Sequence, residues 1–140
     1  MITEDYVSFE VAKLLKEKGF LKEEDLRITQ NLSFYDNIGL HHNLNKWYDS
    51  LIQDKIDFIV APTHQMVMKW LREVHNIHIE LNWDKGNQLY SFQIWKPGKF
   101  RPEISSLDLW RIYKDDNYLG EWNYEEAVES ALKYCLENLI

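Results

Sequence analysis

The chain is predicted to be an α+β domain in which a three-stranded antiparallel meander packs against two or three helices. Three observations predict it. Apolar residues recur at helical spacing near both ends of the chain; the apolar period switches from 3.6 to 2 at Ile77; and turn chemistry follows directly at Asp84-Lys85-Gly86-Asn87-Gln88. With 140 residues, 45% hydrophobic and 28% charged content, and only 5 Gly and 3 Pro, the chain has enough apolar surface for a core and is neither low-complexity nor disordered. This length predicts a single domain over residues 1–140.

The first helix is expected over about 8–19. Ser8 is the N-cap, Phe9, Val11, Ala12, Leu14 and Leu15 form the apolar face, and Gly19 is the stop. Residues 22–27 are read as one further turn. From about 28 to 60 the periodicity weakens into an irregular segment rich in Asn31, Asn37, Asn43 and Asn45. Short strands at Ser33-Phe34-Tyr35 and Ile38-Gly39-Leu40 and a helical turn from Leu44 to Ile52 are compatible with it. A second helix is expected over about 62–75, opened by Pro62 in its first turn or by Thr63 as N-cap, with Met66, Val67, Trp70, Leu71 and Val74 as its stripe and Asn76 as its end. Strands are then expected at about 77–83 and 89–95, joined by the turn, with a third at about 107–113 through Leu109, Trp110, Ile112 and Tyr113. The last helix, about 124–139, has Asn123 and Glu126 at N-cap and N3 spacing, an acidic first turn, and Val128, Ala131, Cys135 and Leu139 on its buried stripe.

The formal charge of −7 argues against binding to phosphate backbones, which is built on a surplus of Lys and Arg. From Asp115 onward the acids Asp115, Asp116, Glu121, Glu125, Glu126, Glu129 and Glu137 face the single base Lys133. Such a run is first a solvated helix face and second a docking surface for a basic partner. The lone Cys135 has no partner for an intramolecular disulfide and sits at a core position beside glutamates, the opposite of the electropositive setting a reactive thiol needs. The first residues lack a basic n-region and an apolar h-region, and no run reaches the about 18 apolar residues of a membrane span, so the expected compartment is the cytoplasm, with no membrane partner.

Three stretches, 6–20, 61–80 and 124–140, carry a resemblance: A-P-T followed by K-W-L-R-E-V-H-N-I-H-I is the most specific part and Y-E-E-A the next. Together they resemble a family of small uncharacterised proteins encoded by gut Bacteroides-type bacteria and their phage-like elements. The resemblance implies a cytoplasmic accessory protein carried by a mobile element. It assigns no activity and no functional residue.

Chemistry-bearing constellations are sparse. His41 and His42 with Asn43, Asn45 and the distant His64 invite comparison with His-Asn-His nucleases, but the spacing is too long for that compact unit and no basic surround is visible. His75 and His78 are separated by a helix end, with no Cys or paired carboxylate to complete a metal site. Glu4/Asp5, Glu23/Glu24/Asp25 and Asp115/Asp116 are adjacent acids, a pattern of solvated charge. No Gly-rich phosphate loop, Walker pattern or G-x-S-x-G is present. The helix, three strands, helix order from Ala61 onward is that of a double-stranded-RNA-binding domain, yet the turn that would clamp phosphate is Tyr124-Glu125-Glu126.

The sequence thus points to a non-catalytic interaction protein with no cofactor and no metal. Its expected docking residues are Glu125, Glu126, Glu129, Trp122, Trp47 and Tyr48, facing a protein partner, basic in character. The alternative is a small ligand-binding module or enzyme with a pocket in the Asn/His/Tyr-rich segment 35–47, at Tyr35, Asp36, His41 and His42, that joins His41 or His42 to a carboxylate such as Asp36 or Asp49; a third reading is a purely structural role in a particle or oligomer. Oligomeric state is left open by the sequence.

Overall fold

The computed structural model describes residues 5–21, 32–113 and 123–140; the extra turn expected over 22–27 lies outside them. The fold is α+β, and it divides into two compact units with the boundary between Met66 and Val67, Ile140 grouping with the first. The three-stranded antiparallel meander expected is present, and among the described residues there is a second antiparallel three-stranded sheet besides it.

In the first unit, α1 (Phe9–Glu17) starts where Ser8 Oγ accepts the Val11 N–H at 3.2 Å. It buries Val11, Ala12 and Leu15. It ends in a Schellman turn: Gly19, at φ +76°, donates to Lys16, and Phe20 donates to Leu15. The segment expected to be irregular is ordered as β1 (Ser33–Tyr35), β2 (Leu40–His41), α2 (Leu44–Gln53) and β3 (Ile59–Ala61), with β1 central between β2 and β3. Strands of two or three residues are too short for a period of 2 to show in the sequence. Leu44, Tyr48 and Leu51 form the buried stripe of α2 at i, i+4, i+7 and pack with Leu32 and Phe34, with Leu21, Phe58, Val60 and Met66 around them.

α2 also ends in a Schellman turn, but the left-handed position is Lys55 at φ +53°, with Lys55 N–H bonded to Ile52 and Ile56 N–H to Leu51. A residue with a Cβ is strained there, so Lys55→Gly is expected to stabilise the protein by about 0.5–1 kcal/mol, and Lys55→Val to destabilise it, in urea unfolding.

α3 (His64–Val74) crosses the unit boundary. Of the two openings compatible with the sequence, Thr63 is the one used: its Oγ1 accepts the Met66 N–H at 3.2 Å, while the Pro62 carbonyl accepts Val7 N–H. The buried stripe is His64, Val67, Met68 and Leu71, and Val74 is 63% exposed. Asn76 ends the helix at φ +56°.

The second unit carries the predicted hairpin. β4 (His78–Asp84) and β5 (Leu89–Trp95) pair in register from His78↔Trp95 to Asp84↔Leu89. Asp84 closes the turn by accepting from Gly86 and Asn87, and the Asn87 side-chain amide, chief among these, holds its carboxyl below the ordinary range. The third strand is β6 (Ile104–Ser105), and residues 107–113, expected as a strand, belong instead to α4 (Ser106–Tyr113). The reason is a capping box at Ser105 and Asp108: Ser105 Oγ accepts the Asp108 N–H at 3.2 Å and Asp108 Oδ2 accepts the Ser105 N–H at 3.0 Å. That box starts a helix which buries Ser106 and Leu109 at i, i+3 spacing and leaves Leu107 and Ile112 exposed. α5 (Tyr124–Asn138) begins as predicted, Asn123 Oδ1 accepting the Glu126 N–H at 2.8 Å, and buries Ala127, Val128, Ala131, Leu132, Cys135 and Leu136.

Candidate functional site

The histidine-rich hairpin of the first unit is a matter of strand parity. Successive strand residues point to opposite faces, so adjacent histidines cannot converge. His41 pairs with Phe34 across β1 and β2 and stacks on its ring at 5.2 Å. On that same face its Nε2 comes 2.9 Å from Asp36 Oδ1, an ion-pair distance without the alignment of a hydrogen bond. His42 lies on the other side, sharing a 2.7 Å hydrogen bond with Ser33 Oγ and tilting against Tyr6 at 5.0 Å. Tyr35 donates its hydroxyl to the Val7 carbonyl at 2.7 Å.

Asp36 Oδ1 is engaged by the turn it closes, accepting the N–H groups of Ile38 and Gly39 at 2.8 and 3.1 Å. The Ile38 N–H is the main reason its carboxyl sits below the ordinary range; burial opposes, and Gly39 and His41 add to the lowering. The pair Asp36 and His41 is therefore brought together, while Tyr35 and His42 face away from it. Asp49 is exposed on α2.

Of the residues expected to dock a partner, Trp47 and Tyr48 belong to the first unit and Glu125, Glu126 and Glu129 to the second. Trp47 is 47% exposed, with Lys46 Nζ 5.5 Å from its ring centroid. Its neighbour Tyr48 is only 8% exposed, edge-on to Phe58 in the first unit's core, so its ring is a packing element. Glu126 is exposed on α5, whereas Glu125 and Glu129 are half-buried. Lys133 stands 4.0 Å from Glu137 on the same helix, so the acidic face carries a base of its own. Trp122 lies outside the described residues. Of the other histidines, His64 is buried in the first turn of α3, His75 meets the Trp70 ring edge-on at 4.6 Å, and His78 contacts Asn76 Oδ1 at 3.4 Å. Among the described residues no group of three His, Cys, Asp or Glu is placed to hold a metal ion. No helix among them is long and apolar enough to cross a membrane.

A site that the residue patterns did not suggest lies at the C-terminal ends of α1 and α2. A cavity of about 360 Å³ is lined by Leu15, Lys16, Phe20 and Leu21 from the first helix and its turn, Ile52 and Ile56 from the second, and Asp57, Phe58 and Val60 leading into β3. The two Schellman turns shape it. Each turns the chain through a left-handed residue and delivers the next side chain, Phe20 in one case and Ile56 in the other, to the cavity wall. Its lining is apolar apart from the exposed Lys16 and Asp57, and Ile52 and Ile56 remain 46% and 42% exposed. The sequence shows the two turns separately, at Gly19-Phe20 and Lys55-Ile56, each closing an amphipathic helix, but nothing in it pairs them. Comparison with known proteins returns no match, whether to a family model, a curated protein or a solved structure.

Proposed function

We propose that the chain is a small binding protein without chemistry of its own, which docks a partner protein by accepting an apolar side chain into the cavity at the ends of α1 and α2. The observation that carries this reading is the exposure of Ile52 and Ile56 beside a cavity already lined by Leu15, Phe20, Leu21 and Phe58. Large apolar side chains left in water beside an apolar concavity favour a partner that covers both. The carboxylate and imidazole groups of the hairpin support it too, since the contacts of Asp36, His42 and Tyr35 stabilise turns and strand ends. The acidic face of α5, through Glu125, Glu126 and Glu129, then contributes by steering a basic partner. In this reading the protein is a cytoplasmic accessory factor, carried by a mobile element as the resemblance of its three segments implies.

A second reading, a ligand-binding module, is favoured by the cavity's size, since small-molecule sites run from about 300 to 1,000 Å³. One comparison separates the two. Tagged wild-type protein, an Ile52→Glu/Ile56→Glu variant and a Glu125→Lys/Glu126→Lys/Glu129→Lys variant are used to capture partners from the native host, each first shown to be folded by circular dichroism. The isoleucine variant is expected to lose a stoichiometric partner at least tenfold, and the glutamate variant to lose it at low salt. A partner held equally well by the isoleucine variant would sink the proposal. Wild-type protein that carries a small molecule in native mass spectrometry, and no protein, would establish the second reading instead.

A further inference from the structure

Among the described residues, the second sheet is open along one side. Its order is β4-β5-β6, so β4 is an edge strand among the described residues, and with seven residues it is longer than β6 or any strand of the first sheet. On the face that meets α5, the β5 side chains Phe92 and Ile94 are 0% exposed, yet their partners across the ladder, Leu81 and Ile79, are only half-buried, and Trp83 is 51% exposed. The apolar layer therefore reaches the sheet edge and stops there. Edge strands of stable monomers are usually shielded by charged side chains, above all Lys, by Pro or by a bulge; β4, HIELNWD, carries Glu80 and Asp84 but no Lys and no Pro, and it pairs with β5 without a break.

We propose that β4 is a self-association edge: a second copy of this chain pairs with it antiparallel about a two-fold axis at Leu81, joining the two sheets into one of six strands. A two-fold related antiparallel pair must oppose residues whose numbers have the same parity, so that outward-facing backbone groups meet each other. That leaves registers centred on a single residue, and charge favours the one at Leu81 over its two immediate neighbours. Centred on Leu81, His78 faces Asp84, Ile79 faces Trp83, Glu80 faces Asn82 and Leu81 faces itself; no like charges meet, and all three half-covered apolar side chains acquire apolar partners. Centred on Glu80, that carboxylate opposes its own copy. Centred on Asn82, Glu80 opposes Asp84. Both neighbouring registers place like charges directly across, which is destabilising. Glu80 is already held on the solvent side by Trp95 Nε1–H at 3.0 Å, which keeps its carboxylate clear of the apolar face.

The pairing is read by register and by mass. Sedimentation of the full chain from about 1 μM to 1 mM is expected to show a monomer–dimer equilibrium, because a single strand pair buries less than the about 1,200 Å² of a standard interface. Leu81→Cys is expected to form a disulfide-linked dimer under mild oxidation, since directly opposed residues lie about 4.5–5.5 Å apart. Asn82→Cys, which faces Glu80 and not itself, is expected to remain unlinked. Leu81→Lys, which opposes its own charge, is expected to weaken the dimer at least tenfold. A wild-type chain that stays monomeric at 1 mM overturns the proposal. So does a dimer in which Leu81→Cys fails to link more readily than Asn82→Cys, a result that does not depend on whether the lysine variant folds. The outcome is independent of the cavity, so the two proposals stand or fall separately.

Discussion

Phe92→Ala is expected to destabilise the protein by about 3–5 kcal/mol, a large part of the about 5–15 kcal/mol that holds a domain of this size together. The ring is fully buried on the central strand of the second sheet, opposite Leu81 on β4. Its backbone explains why little can relax into the space it leaves. β6 pairs with β5 only at Gln93 and Ile94, so the ladder ends one residue short of Phe92. Ser106 Oγ takes over there, accepting the Phe92 N–H at 2.7 Å and donating to the Phe92 carbonyl at 3.2 Å. Because β4 and Ser106 pin the strand from both sides, the cavity left by the truncation stays open and its cost adds to the lost apolar transfer. Urea unfolding followed by tryptophan fluorescence measures the effect, with Trp83→Ala as a control at a half-exposed site on the same sheet face. A loss below about 1 kcal/mol for Phe92→Ala, or one no larger than the control's, would show that the core does not turn on this residue.

The elements read most directly from the sequence are those whose signal is local. α1 and α5 announce themselves by apolar spacing and by caps at Ser8 and Asn123, and the β4–β5 hairpin by alternation on both sides of an Asp84 turn. The stretch at 107–113 misleads because Leu109, Trp110, Ile112 and Tyr113 are good strand formers; the decisive signal was Ser105-x-x-Asp108, a box that bonds two otherwise orphaned N–H groups. Packing decides the rest. Val74 fits a helical stripe yet is exposed, and Met68 takes the buried place, because which flank of α3 is covered depends on what packs against it. Candidate sites follow the same division. That His41 and His42 face apart is readable once a strand is assigned, but β2 has only two residues and gives no period to assign it by. The cavity was not legible, since its walls come from helix ends more than thirty residues apart that only tertiary packing brings together.

Cys135 is expected to resist thiol reagents in the native protein and to make stability fall steeply in alkali. Burial is the chief cause: the thiol is fully buried on α5 between Ala131, Leu132 and Leu136, and it is pushed up from 9.0 to about 12. At pH 8 that lowers the thiolate population about a thousandfold relative to an ordinary cysteine, before any limit on reagent access. The same shift fixes the direction of the pH dependence. A proton held more tightly by the folded state stabilises it fully below the unfolded value near 9, and the contribution is lost as pH rises from there towards about 12, because only the unfolded chain then gains by ionising. At 1.36 kcal/mol per unit the whole loss is on the order of 4 kcal/mol. The discriminating measurement is a comparison, which cancels every other group: urea midpoints of wild type and Cys135→Ala from pH 8 to 11. The alanine variant starts lower, by about 1–2 kcal/mol for its small cavity, and should fall less steeply, so that the two curves converge or cross. Parallel curves, or native-state labelling at pH 8 as fast as in urea, would show that burial does not control this thiol.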